Sequence, residues 1–158
     1  MRALVQRVTR ARCRVGEQVT GEIGSGLVVL LGASTRDGPE DADWTAHRVA
    51  GLRVFADEDQ LMNRDVREVG GGALVIPQFT LYGDVRRGRR PDFVQAARPE
   101  QAEPLYERFC KKLEAEGVPV ARGQFRAHMR IELENDGPVT LLVESPLRPP
   151  RPAEGDDE

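Results

Sequence analysis

Val5-Gln6-Arg7-Val8-Thr9-Arg10-Ala11-Arg12-Cys13-Arg14-Val15 decides how this chain is read. Val5, Thr9, Ala11, Cys13 and Val15 share one parity, and Gln6, Arg10, Arg12 and Arg14 share the other. That period of two belongs to a half-buried strand or a bent strand pair. Arg7 falls on the apolar parity, where a guanidinium has to snorkel, pair with a carboxylate or donate to backbone carbonyls. Gly16-Glu17 predicts a turn into a second strand from Gln18 to Ile23, and the apolar run from Leu27 to Ala33 predicts a central strand. Gly21, Gly24 and Gly26 precede a strand instead of joining a strand to a helix, so they read poorly as a dinucleotide loop.

Beyond this block, Asp37-Gly38-Pro39 offers a helix start, followed by Ala42, Ala46 and Val49 at helical spacing and a short strand from Leu52 to Phe55. Asp57 to Asn63 reads as a loop and Gly70-Gly71-Gly72 as a break. Ala73 to Leu81 then reads as a second strongly apolar strand, stopping at Gly83-Asp84. A second helix starts near Pro99, shows Ala102, Leu105, Tyr106, Phe109 and Leu113 on one face, and ends at Gly117. Met129, Ile131, Leu133 and Asn135 alternate with His128, Arg130, Glu132 and Glu134. That strand is expected to turn at Asp136-Gly137-Pro138 into a last strand, Val139 to Val143. The predicted class is α+β: a curved, mainly antiparallel β-sheet or barrel with two or more helices packed on it.

At 158 residues, 39% apolar and 31% charged, the chain has one domain's worth of sequence. No apolar run approaches the roughly 18 to 20 residues that cross a bilayer, and no signal-peptide core opens the chain. A soluble, cytoplasmic protein without a membrane partner is therefore expected. Residues 1–144 read as the single domain. Residues 145–158, with four prolines and four acids, read as a disordered tail that cannot bury enough apolar surface to order itself.

Cys13 and Cys110 sit in apolar patterns and read as core thiols, and His47 and His128 are the only histidines, so no metal site and no cofactor are expected. A net charge of −3 argues against a generic polyanion binder. All basic residues except Lys111 and Lys112 are arginine, a preference that suits phosphate recognition but that genome composition also produces.

Three features break the rules of the strands that carry them. Pro77 interrupts an apolar strand and removes a ladder donor, which places that stretch at an edge or bulge, with Gln78 and Thr80 on a wet face or at a site. Gly137-Pro138 is either an ordinary trans hairpin turn or a cis pair that aims backbone oxygens at a ligand. Arg7 is the third. Arg86, Arg87, Arg89 and Arg90 form a basic cluster, read either as a solvated loop or as phosphate contacts.

Taken together, PQFTLYGD at Pro77 to Asp84, GRRPDF at Gly88 to Phe93, the spaced Gly123, Phe125, Ala127 and Met129, NDGPVT at Asn135 to Thr140 and ALVQRVTRA from Ala3 resemble the D-aminoacyl-tRNA deacylase family. The resemblance runs in order from Met1 to Glu144 and includes Met62-Asn63. It implies a homodimer that hydrolyses the ester joining a D-amino acid, or mischarged glycine, to the 3′-terminal adenosine of tRNA. It also implies an active site shared between subunits, with Gly137-Pro138 of one copy, as a cis pair, entering the other's pocket beside Gln78, Phe79, Thr80 and Leu81. Phe125 matches a position close to the adenosine, and Met129 and Arg7 match positions near the inserted loop. The family usually has serine where this chain has Pro77, so a hydroxyl there is not required, and the Gln78 N–H is expected to remain free to contact the ester.

An aminoacyl ester is already activated, so such a site mainly has to position water and stabilise an oxyanion with preorganised donors, here amides around Phe79 and Thr80. No histidine or lysine stands beside Thr80 in sequence to take its proton, which favours Thr80 as an orienter over Thr80 as a nucleophile. Two other readings of the same residues are a non-catalytic tRNA-binding dimer and an esterase acting on small D-amino-acid esters.

Overall fold

A computed structural model of the chain describes residues 1–147; most of the expected tail, 148–158, lies outside the described residues. The long first strand is bent, as its pattern requires. β1 (Arg2–Val15) buries Ala3 and Val5, shifts parity at Arg7 to bury Val8, and shifts back to bury Ala11 and Cys13, with irregular register on both sides of Val8. Its first half pairs antiparallel with β3 (Gly26–Gly32) and its second half with β2 (Gln18–Ile23), which follows a turn at Gly16 with φ +59°.

The sheet continues from β3 to β6 (Gly72–Pro77) and β7 (Val120–Arg122), and both of those pairings are parallel. The sheet is therefore mixed: most of its pairing, all of it along β1, is antiparallel as expected, and the β3–β6–β7 part is parallel. The parallel step from β3 to β6 needs a long crossover, and α1 (Pro39–Ala50) with the small hairpin β4 (Phe55–Ala56) and β5 (Met62–Arg64) supplies it. The expected strand at Leu52 shrinks to Phe55–Ala56, and the expected loop at 57–63 is partly this hairpin. β2 and β7 approach each other across the remaining gap, which nearly closes a barrel.

Two cores result. Leu27, Val29 and Leu31 of β3, with Ala73 and Val75 of β6, face α1 and α2 (Pro99–Ala115), where Leu105, Tyr106, Phe109, Cys110 and Leu113 are buried. Val28 of β3 and Leu74 and Ile76 of β6 face the barrel interior with Val8, Ala11 and Cys13. The central strands are buried on both faces, which is why they read as continuous apolar runs. Both cysteines are buried core thiols, as read.

Two local expectations fail for physical reasons. β6 lies between β3 and β7, but at Pro77 its β7 side is open, so the missing N–H costs no ladder bond, as the proline implied; what fails is the expected extension of the strand to Leu81. Pairing with β7 stops at Val75, and beyond Pro77 the chain coils into a 3₁₀ turn, Phe79–Tyr82, instead of extending to Leu81. β8 (Arg130–Glu144) is not a hairpin either. Both of its halves pair with β1, Arg130 to Asn135 with Val8 to Arg14 and Thr140 to Glu144 with Arg2 to Gln6. Residues 136–139 therefore face Arg7 alone and form a bulge, with Gly137-Pro138 cis and exposed and Val139 turned back into the core. Past β8, the Ser145 N–H donates to the Met1 carbonyl at 2.9 Å.

Candidate active site

The 3₁₀ turn is placed by its neighbours on three sides. Gln78 N–H donates to the Leu31 carbonyl at 2.7 Å, which anchors the turn to the end of β3. The Arg2 guanidinium donates to the Leu81 carbonyl at 2.9 Å and lies 4.5 Å over the Tyr82 ring. Phe79 packs edge to face on Phe93, ring centroids 5.2 Å apart. The first bond inside the turn runs from the Leu81 N–H to the Gln78 carbonyl at 3.3 Å. The N–H groups of Phe79 and Thr80 precede it and have no acceptor within the turn. The Gln78 N–H, in contrast, is taken by Leu31 and is not free to meet an ester.

Beside this turn opens a cavity of about 540 Å³, lined by Pro77, Gln78 and Phe79 on one side and by Phe125, Arg126, His128 and Met129 on the other. Tyr106 forms part of its wall, 6.3 Å from Phe125 between ring centroids. Its hydroxyl donates to the Val75 carbonyl at 2.7 Å, and burial pushes its pKa up, with Cys110 adding to the shift. Burial likewise pushes the Cys110 thiol up to about 11. Neither group is poised to exchange a proton near neutral pH.

Close approach of the two walls depends on Gly123, whose N–H donates to the Val75 carbonyl at 3.0 Å. A Cβ there would stand 2.9 Å from Met129 Sδ and 3.2 Å from Pro77 Cδ. Thr80 is exposed, and its Oγ1 accepts from the Gln78 amide at 2.5 Å. An amide in either orientation is too weak a base to take a hydroxyl proton.

Pro77, Gln78, Phe79, Phe125 and Met129 thus share one cavity, with Thr80 and Leu81 on the turn beside it. Gly137, Pro138 and Arg7 do not line that cavity. They form a second cluster where the bulge leaves β8. Arg7 Nε donates to the Asp136 carbonyl at 2.8 Å and Arg7 Nη1 to the Val54 carbonyl. Asn135 Nδ2 donates to the Arg7 carbonyl at 3.1 Å. Met129 stays with Phe125 and away from its own chain's bulge. Tyr106, Arg126 and His128 are lining residues that the sequence did not single out. Tyr106 had read only as part of a helix face.

The arginine cluster divides as well. Arg86 makes a two-pronged pair with Asp84 at 2.7 and 3.0 Å, which holds the Asp84 carboxyl far below its usual range. Arg87, Arg89 and Arg90 rim a separate hollow of about 480 Å³, closed at its base by paired backbone bonds between Asp84 and Asp92. Arg86 is thus engaged by a carboxylate, whereas Arg87, Arg89 and Arg90 have no carboxylate partner among the described residues.

The fold defines a class, a small, nearly closed α+β barrel with a cavity beside the 3₁₀ turn. A solved structure titled as a probable eukaryotic D-amino acid tRNA deacylase has the same fold, with a TM-score of 0.77 at 20% identity over 90% of this chain and 98% of that one. Another, titled c-Myc DNA unwinding element binding protein, gives a TM-score of 0.86 at 38% identity over 93% of this chain and all of that one. The D-aminoacyl-tRNA deacylase of Symbiobacterium thermophilum is 61% identical over 92% of this chain and 96% of its own length. The family profile described as D-Tyr-tRNA(Tyr) deacylase matches residues 4–144. The chain belongs to this family and is a hydrolase. No described helix is long and apolar enough to cross a membrane.

Proposed function

We propose that the protein, in the cytoplasm, hydrolyses the ester bond of D-aminoacyl-tRNA, and of mischarged glycyl-tRNA, to free amino acid and tRNA while rejecting the L forms. Residues 1–144 are read as the single catalytic domain. The observation that carries this reading is the pair of Phe79 and Thr80 N–H groups left without a partner in the turn, beside a largely apolar cavity holding Phe125. The terminal adenosine lies against Phe125, and the ester carbonyl meets those amides. Water adds to the carbonyl carbon, the amides hold the oxyanion, and collapse breaks the bond to the ribose oxygen; the proton that the attacking water gives up passes through the adjacent ribose hydroxyl to that leaving oxygen. Preorganised donors of this kind need no titrating side chain.

Thr80 orients the turn through its bond to Gln78. Thr80→Val is accordingly expected to lower kcat less than tenfold. A folded variant without activity, together with an acyl group trapped on the wild type, would make Thr80 the nucleophile instead.

Rejection of L substrates needs an obstacle, because each tenfold of discrimination takes about 1.4 kcal/mol. Gly137 and Pro138 are exposed on a bulge outside their own cavity, which suits delivery into the cavity of a second copy. Exposed Phe79, Leu133, Leu141 and Leu142 are apolar surface for the same homodimer. In it, the loop's carbonyl oxygens hold the α-amino group and fill the space of an L side chain. Glycine has no side chain to exclude, and D side chains point outward and are read loosely. Arg87, Arg89 and Arg90 meet phosphates of the RNA body.

Purified protein incubated with matched D- and L-aminoacyl-tRNA, and separately with a free D-amino-acid ester, tests the reading. Release from the D-aminoacyl-tRNA alone is expected, at least 10³-fold faster than from the L form, about 4 kcal/mol of discrimination. Equal cleavage of both would remove the stereochemical gate. Binding without cleavage would favour a tRNA-binding dimer, and rapid turnover of the free ester a small-molecule esterase.

A further inference from the structure

Arg126 has a left-handed backbone, with φ +63°, and among the described residues Gln60 is the one other non-glycine residue with a positive φ. It is the third residue of the turn Gln124–Ala127, closed by the Ala127 N–H donating to the Gln124 carbonyl at 3.3 Å. A positive φ at that place in a turn is the demand that glycine meets without strain. Arginine keeps the place at the expense of local strain, a pattern that concentrates where a side chain has work to perform.

That side chain lines the cavity next to Phe125, in a wall otherwise built largely of apolar groups. It is exposed, and among the described residues no carboxylate pairs with it and no acceptor takes its hydrogen bonds. Arg12, Arg67, Arg108 and Arg122 have carboxylate partners, while Arg87, Arg89, Arg90 and Arg130 have none among the described residues; of the unpaired arginines it is Arg126 that lines this cavity. A planar cation held without a counter-ion beside an aromatic wall matches a ligand with a ring and, one bond system away, a phosphate oxygen pair.

We propose that Arg126 grips the 5′-phosphate of the terminal nucleotide whose base lies against Phe125, and so serves as a substrate-positioning residue at the cavity rim. The inference rests on the reading of the cavity as the site for a 3′-terminal adenosine and adds to it the atom that fixes the nucleotide's orientation. It separates this contact from the Arg87, Arg89 and Arg90 loop, which lines a different hollow.

The test uses hydrolysis of D-aminoacyl-tRNA with adenosine and 5′-AMP as competing inhibitors, on wild type, Arg126→Gly and Arg126→Lys. Wild type is expected to bind 5′-AMP about tenfold more tightly than adenosine, as a charge-assisted hydrogen bond provides. Arg126→Gly should erase that difference, raise KM for the tRNA about five- to tenfold with kcat within twofold, and leave the melting temperature unchanged or higher, since glycine suits the turn. Arg126→Lys should restore part of the preference for 5′-AMP. Equal inhibition by both ligands in the wild type, or an undiminished preference in Arg126→Gly, overturns the inference while hydrolysis continues. Absence of D-aminoacyl-tRNA hydrolysis in the wild type overturns the underlying reading itself.

Discussion

Replacing Gly32 with alanine is expected to lower kcat/KM for ester hydrolysis on the order of 10²-fold in a protein that still folds. Gly32 ends β3, and a Cβ built on it would stand 2.8 Å from the Gln78 carbonyl oxygen, 3.2 Å from Leu81 Cβ and 3.4 Å from Tyr82 Cδ2. A long side chain can rotate out of such a contact, but a main-chain carbonyl cannot. This carbonyl also receives the first bond of the 3₁₀ turn, so relieving the clash displaces the Phe79 and Thr80 amides. A displacement near 1 Å at a reacting centre is worth about 10²-fold, and overpacking of this sort costs about 1–3 kcal/mol of stability. Steady-state kinetics alongside thermal denaturation read the two effects separately. Gly24→Ala, where a Cβ meets nothing within 4 Å, is the matched control. Activity within threefold of wild type in Gly32→Ala would mean that the turn does not position the reaction.

The second large effect is expected at Arg7, in Arg7→Met. Its guanidinium ties the bulge to the body through the Asp136 carbonyl at 2.8 Å, the Asp136 carboxylate at 3.4 Å and the Val54 carbonyl of the segment before β4. With its side chain only 16% exposed, this is an arginine whose charge is satisfied mainly by main-chain oxygens. Methionine keeps a comparable apolar stem while removing the guanidinium and with it every donor. Hydrogen bonds to charged groups contribute about 1.5–3 kcal/mol each, so a stability loss of about 2 kcal/mol or more is expected.

The functional loss should be more selective than the loss of stability. If residues 136–139 gate a partner's cavity, a loosened gate both binds the α-amino group poorly and leaves room for L side chains. Hydrolysis of D-aminoacyl-tRNA should fall about 10²-fold and the D-to-L ratio at least tenfold. A folded, dimeric Arg7→Met enzyme with an unchanged D-to-L ratio would show that the bulge takes no part in selection.

Arg7 also illustrates what could be read in advance. Its anomaly on an apolar parity was visible in the sequence, together with the three ways a guanidinium can be accommodated there. The one realised, donation to backbone carbonyls, depends on Val54 and Asp136, which are remote in sequence. Helix α2 was legible from Pro99 onward because a buried stripe at helical spacing is a local pattern. β7 escaped notice because three residues carry no measurable period, and its pairing with β6 is set by the preceding helix delivering it there. Asn135-Asp136-Gly137-Pro138 has the composition of a hairpin turn, and local composition is indifferent to whether the flanking strands pair with each other or with a third strand. Here β1 is long enough to pair with both, so the turn became a bulge. Arg126 gave no signal at all, since the sign of its φ belongs to the turn that holds it.

The sequence by itself determined the class of fold, the two helices, the two-sided burial of β3 and β6, and the order of motifs that marks the family. All of these are encoded by residues near one another, through side-chain periodicity and backbone restriction. The tertiary structure alone decided that the strand after Pro77 becomes a turn whose Phe79 and Thr80 amides have no acceptor within it, that Phe125 and Met129 line the same cavity, and that the Gly137-Pro138 bulge lies outside the lining of that cavity. Those outcomes follow from packing between segments far apart in the chain, where one strand's length or one glycine's missing Cβ fixes a position that no local preference specifies.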